Sequence, residues 1–203
     1  MSKLRRDTQV TRQQLLDAAE RLFAERGIDN VSLIEIGRAA GQKNRNAAQY
    51  HFSDKATLVN AVLDRHTDQI AARRRDMLDA LAHQPEVTLA DAVAIFVRPV
   101  AEHVARTENS LAFLLINSQL MISQEQAHVA DSRVTTMPEV KELSDLFARL
   151  QPQTSAATRR AQTLLIRSML HHGLASYHTR YGDRDDSAFV EALCTGIEAV
   201  LRS

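Results

Sequence analysis

Twice within the first sixty residues the chain writes the same start and stop signals around an apolar run, which restricts its front to short, tightly turned helices. Thr11 with Gln14 and Ser32 with Glu35 each have the pattern of a capping box, and Val10/Leu15 and Val31/Ile36 stand where a hydrophobic staple packs. Gly27 and Gly41 follow as residues suited to the left-handed conformation that closes a helix. Behind the first signal Leu15, Ala18, Ala19, Leu22 and Phe23 recur at three- and four-residue spacing and form one apolar stripe. The second helix has room for about two turns, too few to be stable except against neighbours. A third short helix is expected with Asn44 as N-cap and Arg45 to His51 as its body. A fourth should run from Lys55 toward His83 behind Ser53 or Asp54. Two short helices joined by a tight turn and framed by longer ones make a helix-turn-helix.

Beyond Gln84-Pro85 the periodicity stays helical. Helices are expected near 88–107, interrupted by Pro99; 110–124; 138–150, opening on Met137-Pro138; 155–181; and 186–202. Residues 125–137 are polar and unperiodic and read as a loop, and no segment alternates as a strand does. Aromatic content is only 4%, and the frequent residues are good helix formers. The fold class is therefore all-α with about nine helices. A three-helix helix-turn-helix domain takes residues 1–54, helix four connects from 55, and a larger helical domain covers 55–203.

The formal net charge is zero, but it is unevenly placed. Through residue 75 there are 14 Lys/Arg against 9 Asp/Glu, and beyond it 11 against 16. A polyanion would attract the front and repel the rest. Cys194, the single cysteine, cannot form an internal disulfide and reads as a core side chain. No apolar run has the length of a signal peptide or a membrane span, so a cytoplasmic protein with no membrane partner is expected.

Residues 11 to 58 resemble the helix-turn-helix of the tetracycline-repressor (TetR) family. The resemblance rests on Ser32, Ile36-Gly37, Ala40-Gly41, Tyr50-His51-Phe52, Asp54-Lys55 and Leu58, with Ala18-Ala19, Leu22-Phe23 and Gly27 in the first helix. Three features depart from the family pattern. Gly37 stands where Ala is usual, one additional residue lies between Gly41 and Tyr50, lengthening the turn Gln42-Lys43-Asn44, and Gln49 replaces a Tyr that generally meets a phosphate.

The resemblance implies a dimeric transcriptional regulator, most readily a repressor, holding a double-stranded operator. The helix after the turn would enter the major groove. Arg45 suits guanine, Asn46 and Gln49 suit adenine, and Ala47 is small enough to touch a thymine methyl. Lys43, Asn44, Tyr50, His51 and Lys55 would take the sugar-phosphate backbone, Lys55 from the first turn of helix four. Lys3, Arg5 and Arg6 precede the first capped helix as a basic arm would. Arg73-Arg74-Arg75 reads as a solvated face rather than an extension of this footprint.

The resemblance also implies that the last two helices pair with their counterparts in a four-helix bundle, through Leu165, Met169, Leu193, Ile197 and Val200. It implies a small-molecule effector, largely apolar, in the larger domain. Arg98, Phe113, Asn117, Met121, His172 and Tyr177 are the candidate pocket residues, being polar or aromatic groups on or beside apolar helices. No cofactor or metal is expected. Adjacent His171 and His172 diverge by about 100° on a helix and cannot share an ion, and no catalytic motif occurs, so an enzyme is not expected. A helical protein-interaction module is the alternative. The base-competent set Arg45, Asn46 and Gln49, with Lys55 behind it, argues for DNA, because a protein interface favours aromatic or aliphatic anchors.

Overall fold

The computed structural model describes residues 3–107, 109–123, 137–182 and 186–203, with side chains from Asp7 onward. Among these residues there are nine helices and no strand. They are α1 (Lys3–Arg26), α2 (Leu33–Ala39), α3 (Ala47–Phe52), α4 (Lys55–Leu81), α5 (Leu89–Arg106), α6 (Ser110–Leu120), α7 (Pro138–Leu150), α8 (Ala156–Tyr181) and α9 (Ser187–Arg202). The all-α architecture is as the sequence implies. Of the expected loop 125–137, only Met137 lies within the described residues.

Local signals act where something interrupts the helix before them. Ser32 Oγ accepts from Glu35 N at 3.2 Å while Glu35 Oε2 accepts from Ser32 N at 2.9 Å, a complete capping box with Val31 and Ile36 buried beside it. These hydrogen bonds, and then Arg26, hold the Glu35 carboxyl down at about 2. Asp54 caps α4 by accepting from Thr57 N at 2.7 Å. Gly27 and Gly41 have φ of +89° and +70°, the left-handed conformations expected of them.

Three expectations fail for identifiable reasons. Thr11 is not an N-cap, because α1 begins at Lys3; nothing between Lys3 and Val10 breaks a helix, so the helix passes through the capping signal. The stretch expected as a basic arm is thus helical from Lys3 onward. The third helix starts at Ala47 rather than Arg45, since Asn44 Oδ1 accepts from Asn46 N at 3.0 Å and folds those residues into a side-chain-closed turn. Pro99 does not interrupt α5: the missing donor is tolerated within a helix whose Ile95, Val97, Val100 and Ala101 are all buried.

One contiguous apolar core joins the front helices to the rest. Helix α6 packs on α1 and α8, and α5 packs on α4 and α9. A Cβ at Gly196 would stand 3.0 Å from Met169 Cε, so this glycine lets α9 lie close on α8. Polar latches tie α1 to the body as well. Gln119 on α6 donates from Nε2 to Phe23 O at 3.0 Å and accepts from Ile28 N at 2.9 Å, closing both sides of the bend after α1. A buried chain lies above it. His66 Nε2–H donates to Glu20 Oε1 at 2.5 Å, and His66 Nδ1 and His103 Nε2 share a hydrogen bond at 3.0 Å, which connects α1, α4 and α5. A carboxylate only accepts, so the direction of the first bond follows from Glu20.

Candidate nucleic-acid interface and interior cavity

The frame of the interface is small and well pinned. Phe52, Ile36, Leu58 and Ala48 are buried beneath α2 and α3, and the turn between these helices is held at both ends. Gln42 N donates to Gly37 O at 3.0 Å, and Gln42 Nε2 donates to Gln14 Oε1 at 2.9 Å. Gln14 thus braces the turn instead of closing a capping box with Thr11. Farther along, Ala47 N donates to Asn44 O at 3.1 Å. Gly37 is buried at this crossing, yet a Cβ there would meet nothing closer than Arg45 O at 3.8 Å, an ordinary contact.

On that frame Lys43, Asn44, Arg45, Asn46, Gln49 and Tyr50 all project into solvent, with Tyr50 82% exposed. His51 is half-buried and edge-on to Tyr50, with ring centroids 5.4 Å apart. Ala47 is a correction. It is only 6% exposed, because the later start of α3 turns it inward with Ala48, and it cannot meet a thymine methyl without leaving the core. Lys55 is half-buried, and its Nζ donates to Ile28 O at 3.2 Å and Asp29 O at 3.4 Å. Its ammonium therefore braces the bend after α1 against the start of α4.

The pattern of ion pairing separates this surface from the rest of the cationic front. Among the described residues Arg38, Lys43 and Arg45 form no salt bridge, and all three are exposed. Elsewhere in the front Arg65 reaches Asp17 at 2.8 Å and Glu20 at 2.7 Å, Arg26 reaches Glu35 at 3.0 Å, and Arg12 lies over the Phe52 ring at 4.9 Å. The three consecutive arginines of α4 go three ways. Arg73 pairs with Glu102 of α5 at 2.9 Å, Arg75 pairs with Glu142 of α7 at 2.6 Å, and Arg74 is buried. None of them extends the unpaired patch.

The larger part of the molecule encloses a mostly apolar cavity of about 150 Å³ between α4, α5, α6, α7 and α8. Phe113 and Asn117 line it, together with Arg74, Arg167 and His171, which sequence reasoning did not place there. The other candidates lie elsewhere. Arg98 donates to Glu191 on α9 at 2.5 Å, Met121 Sδ accepts from Ser168 at 3.8 Å, His172 is exposed, and Tyr177 stacks on Phe189 with centroids 4.6 Å apart. A readable signal for Arg74 did exist. It falls on the stripe Leu63, His66, Ile70, Arg74 and Leu78, so helical spacing alone puts one arginine of the triplet on the buried face. Among the described residues no three His, Cys, Asp or Glu side chains gather where a metal ion could be held, and no helix is long and apolar enough to cross a membrane.

Of the residues expected to pair between subunits, Ile197 and Leu193 are buried within the chain's own core, at 0% and 7% exposure, because α9 packs on α5 and α8. Met169 and Val200 are half-buried in the same packing. Leu165 is 51% exposed and Leu164 56%, and along α9 the exposed Ala188, Ala192, Thr195 and Ala199 form a smooth stripe. The outer faces of α8 and α9 are thus apolar or small-residue surfaces without a partner in the monomer.

Residues 15–62 match the profile of bacterial regulatory proteins of the tetR family. The HTH-type transcriptional regulator AcrR of Shigella flexneri is 43% identical over 60 residues, 30% of this chain and 27% of that protein. This chain thus spans about a quarter of that regulator's length. The HTH-type transcriptional repressor BepR of Brucella suis is 28% identical over 168 residues, 80% of this chain and 73% of that protein. Among solved structures, NalD, the secondary repressor of the MexAB-OprM multidrug efflux pump in Pseudomonas aeruginosa, superposes with a TM-score of 0.60 at 26% identity. That superposition covers 96% of this chain and 97% of that one.

Proposed function

We propose that the chain, whose residues 15–62 match the profile of bacterial regulatory proteins of the tetR family, is a cytoplasmic transcriptional repressor of that family. It binds a (pseudo)palindromic operator as a homodimer and is released by a small molecule. The observation that carries this reading is the exposed, unpaired set of the end of α2, the turn and α3: Arg38, Lys43, Arg45, Asn46, Gln49 and Tyr50 on a frame that needs none of them for packing. Lys43, Asn44 and Tyr50 fix the register on phosphates, and Arg45, Asn46 and Gln49 read base edges, with the half-buried His51 at the margin.

The functional division falls near residue 54, with residues 1–54 reading DNA and 55–203 responding to the effector and forming the dimer. The division is one of role, since the core runs through both. One reading head covers only a few base pairs, so the outer faces of α8 and α9, carrying Leu165, bring two heads together. The effector occupies the interior cavity. Arg74 lies 19 residues beyond Lys55 on the same helix, roughly 28 Å at 1.5 Å per residue, so α4 physically joins the cavity to the reading head. The family is one of regulators, and we assign the chain no reaction.

Selection of genomic fragments of the source organism on the purified chain tests the reading. Enrichment of an inverted repeat with half-sites one helical turn or a multiple apart supports it. Recovery of fragments without a common site would overturn it.

A further inference from the structure

Arg74 is 6% exposed, and its Nε has no hydrogen-bond partner among the described residues. The acid that acts on it is Glu139, itself 7% exposed, but no ion pair forms between them within 4 Å. Burial pulls the guanidinium below its ordinary arginine value, with Glu139 opposing the shift. An arginine nevertheless stays charged in a protein. The molecule therefore keeps an unmatched cation on the wall of its cavity, where buried charges are ordinarily paired.

The rest of the wall narrows the partner. Arg167 also lines the space, and among the described residues no carboxylate does. Asn117 Nδ2 donates to Phe113 O at 2.8 Å, which leaves the amide oxygen as an acceptor. His171 Nδ1–H donates to Arg167 O at 3.0 Å. Burial first, and then the charges of Arg167, His172 and Arg74, push the His171 pKa down to about 4 against that bond, so its Nε2 also presents a lone pair. An ammonium group would meet the unmatched Arg74 guanidinium here. A phosphate would lose much of its hydration in a largely apolar space with few donors. A carboxylate matches the planar guanidinium fork, and a volume of about 150 Å³ accommodates one aromatic ring.

We infer that the cavity takes a ring-sized aromatic carboxylic acid, bound as its monoanion with the carboxylate on Arg74. The inference rests on the proposed effector site and assigns its ligand a chemical class.

Calorimetry and thermal shift of the full chain with sodium benzoate, benzyl alcohol and benzylamine, in wild type and Arg74→Met, test it. Benzoate should bind at least about tenfold more tightly than the alcohol, with no binding by the amine. Arg74→Met should lose at least about tenfold in benzoate affinity while keeping that for the alcohol. Its Tm without ligand should equal or exceed that of wild type, since an unmatched buried charge has been removed. Equal affinity for acid and alcohol, or preference for the amine, would overturn the assignment and leave a ligand-responsive regulator of another specificity. Unchanged benzoate affinity in Arg74→Met, no benzoate binding up to about 10 mM, or a lowered Tm of that variant would each overturn it as well. Release of operator DNA by the bound acid is a separate readout, and its failure would count against the proposed regulation and leave the anion site intact.

Discussion

The turn between α2 and α3 and the cavity behind α4 put their polar groups to opposite use. At the turn the apolar residues are inside and the cations outside, so Lys43 and Arg45 are hydrated and, on the proposed reading, wait for a partner that supplies phosphate or base edges. In the cavity the apolar residues form the wall, and a cation, Arg74, is withdrawn from water. The first arrangement keeps the free protein stable and makes binding sensitive to salt. The second withholds a partner from a buried charge, which suits a site meant to be filled. On the proposed reading one surface selects by geometry of contact and the other by compensation of charge.

The comparison is broken most severely by removing the frame of the head. Phe52→Ala empties a buried site beneath α3 and should destabilise the protein by about 3–5 kcal/mol. In denaturant titration and DNA binding, it should lose all duplexes together. Retention of operator binding would mean that the reading face does not depend on that core.

Acid should separate the two regions. Burial, and then the neighbouring His66, lowers the His103 pKa to about 4, and His171 in the cavity wall is lowered likewise. Unfolded histidines take up protons below about 6.5, and these two do so in the folded state only near 4. Their contribution is thus fully present above about pH 6.5 and falls as the pH drops toward 4, by a few kcal/mol in all. Glu35 behaves in the opposite way: its contribution to the α2 cap is present above about 4.5 and disappears toward about 2. Hydrogen exchange at pH 5 should show α5 and α8 losing protection before α2. Simultaneous loss would deny the regions separate acid responses.

A finer test concerns the two cations at the head. Arg45→Ala should leave stability unchanged and reduce discrimination at one base position per half-site by about 1–3 kcal/mol. Lys55→Ala should lower the Tm, because its ammonium joins the carbonyls of Ile28 and Asp29 to α4. Unchanged stability of Lys55→Ala would return that lysine to the phosphates. The smallest effect expected is a gain. Gly37→Ala adds a methyl group where 3.8 Å is available and should stabilise the head by about 0.5–1 kcal/mol without changing sequence preference.

What could be read beforehand follows the same division. Ser32 and Glu35 were legible because Gly27 and the residues after it end α1 and force a new start. Thr11 and Gln14 carry the same signal with nothing to end the helix before them, so Gln14 was free to hold Gln42. At Asn44 a side-chain turn competed with a cap and won, moving the start of α3 and burying Ala47. In the cavity the missed residues depend on which helices meet, which local spacing does not contain. Arg74 could be placed on a buried face from its stripe, but its lack of an ion pair is a property of the assembled body alone. Ile197 and Leu193 illustrate the same limit: an apolar stripe announces burial without saying whether its cover is the same chain or a second copy.

The most direct test of the central claim, that the exposed turn and α3 hold DNA by unpaired cations, is the salt dependence of operator binding. With about six phosphates contacted by the dimer, affinity should fall about a thousandfold between about 50 and 200 mM salt, along a straight line in log–log form. An affinity that did not change with salt would exclude phosphate contacts and contradict the account.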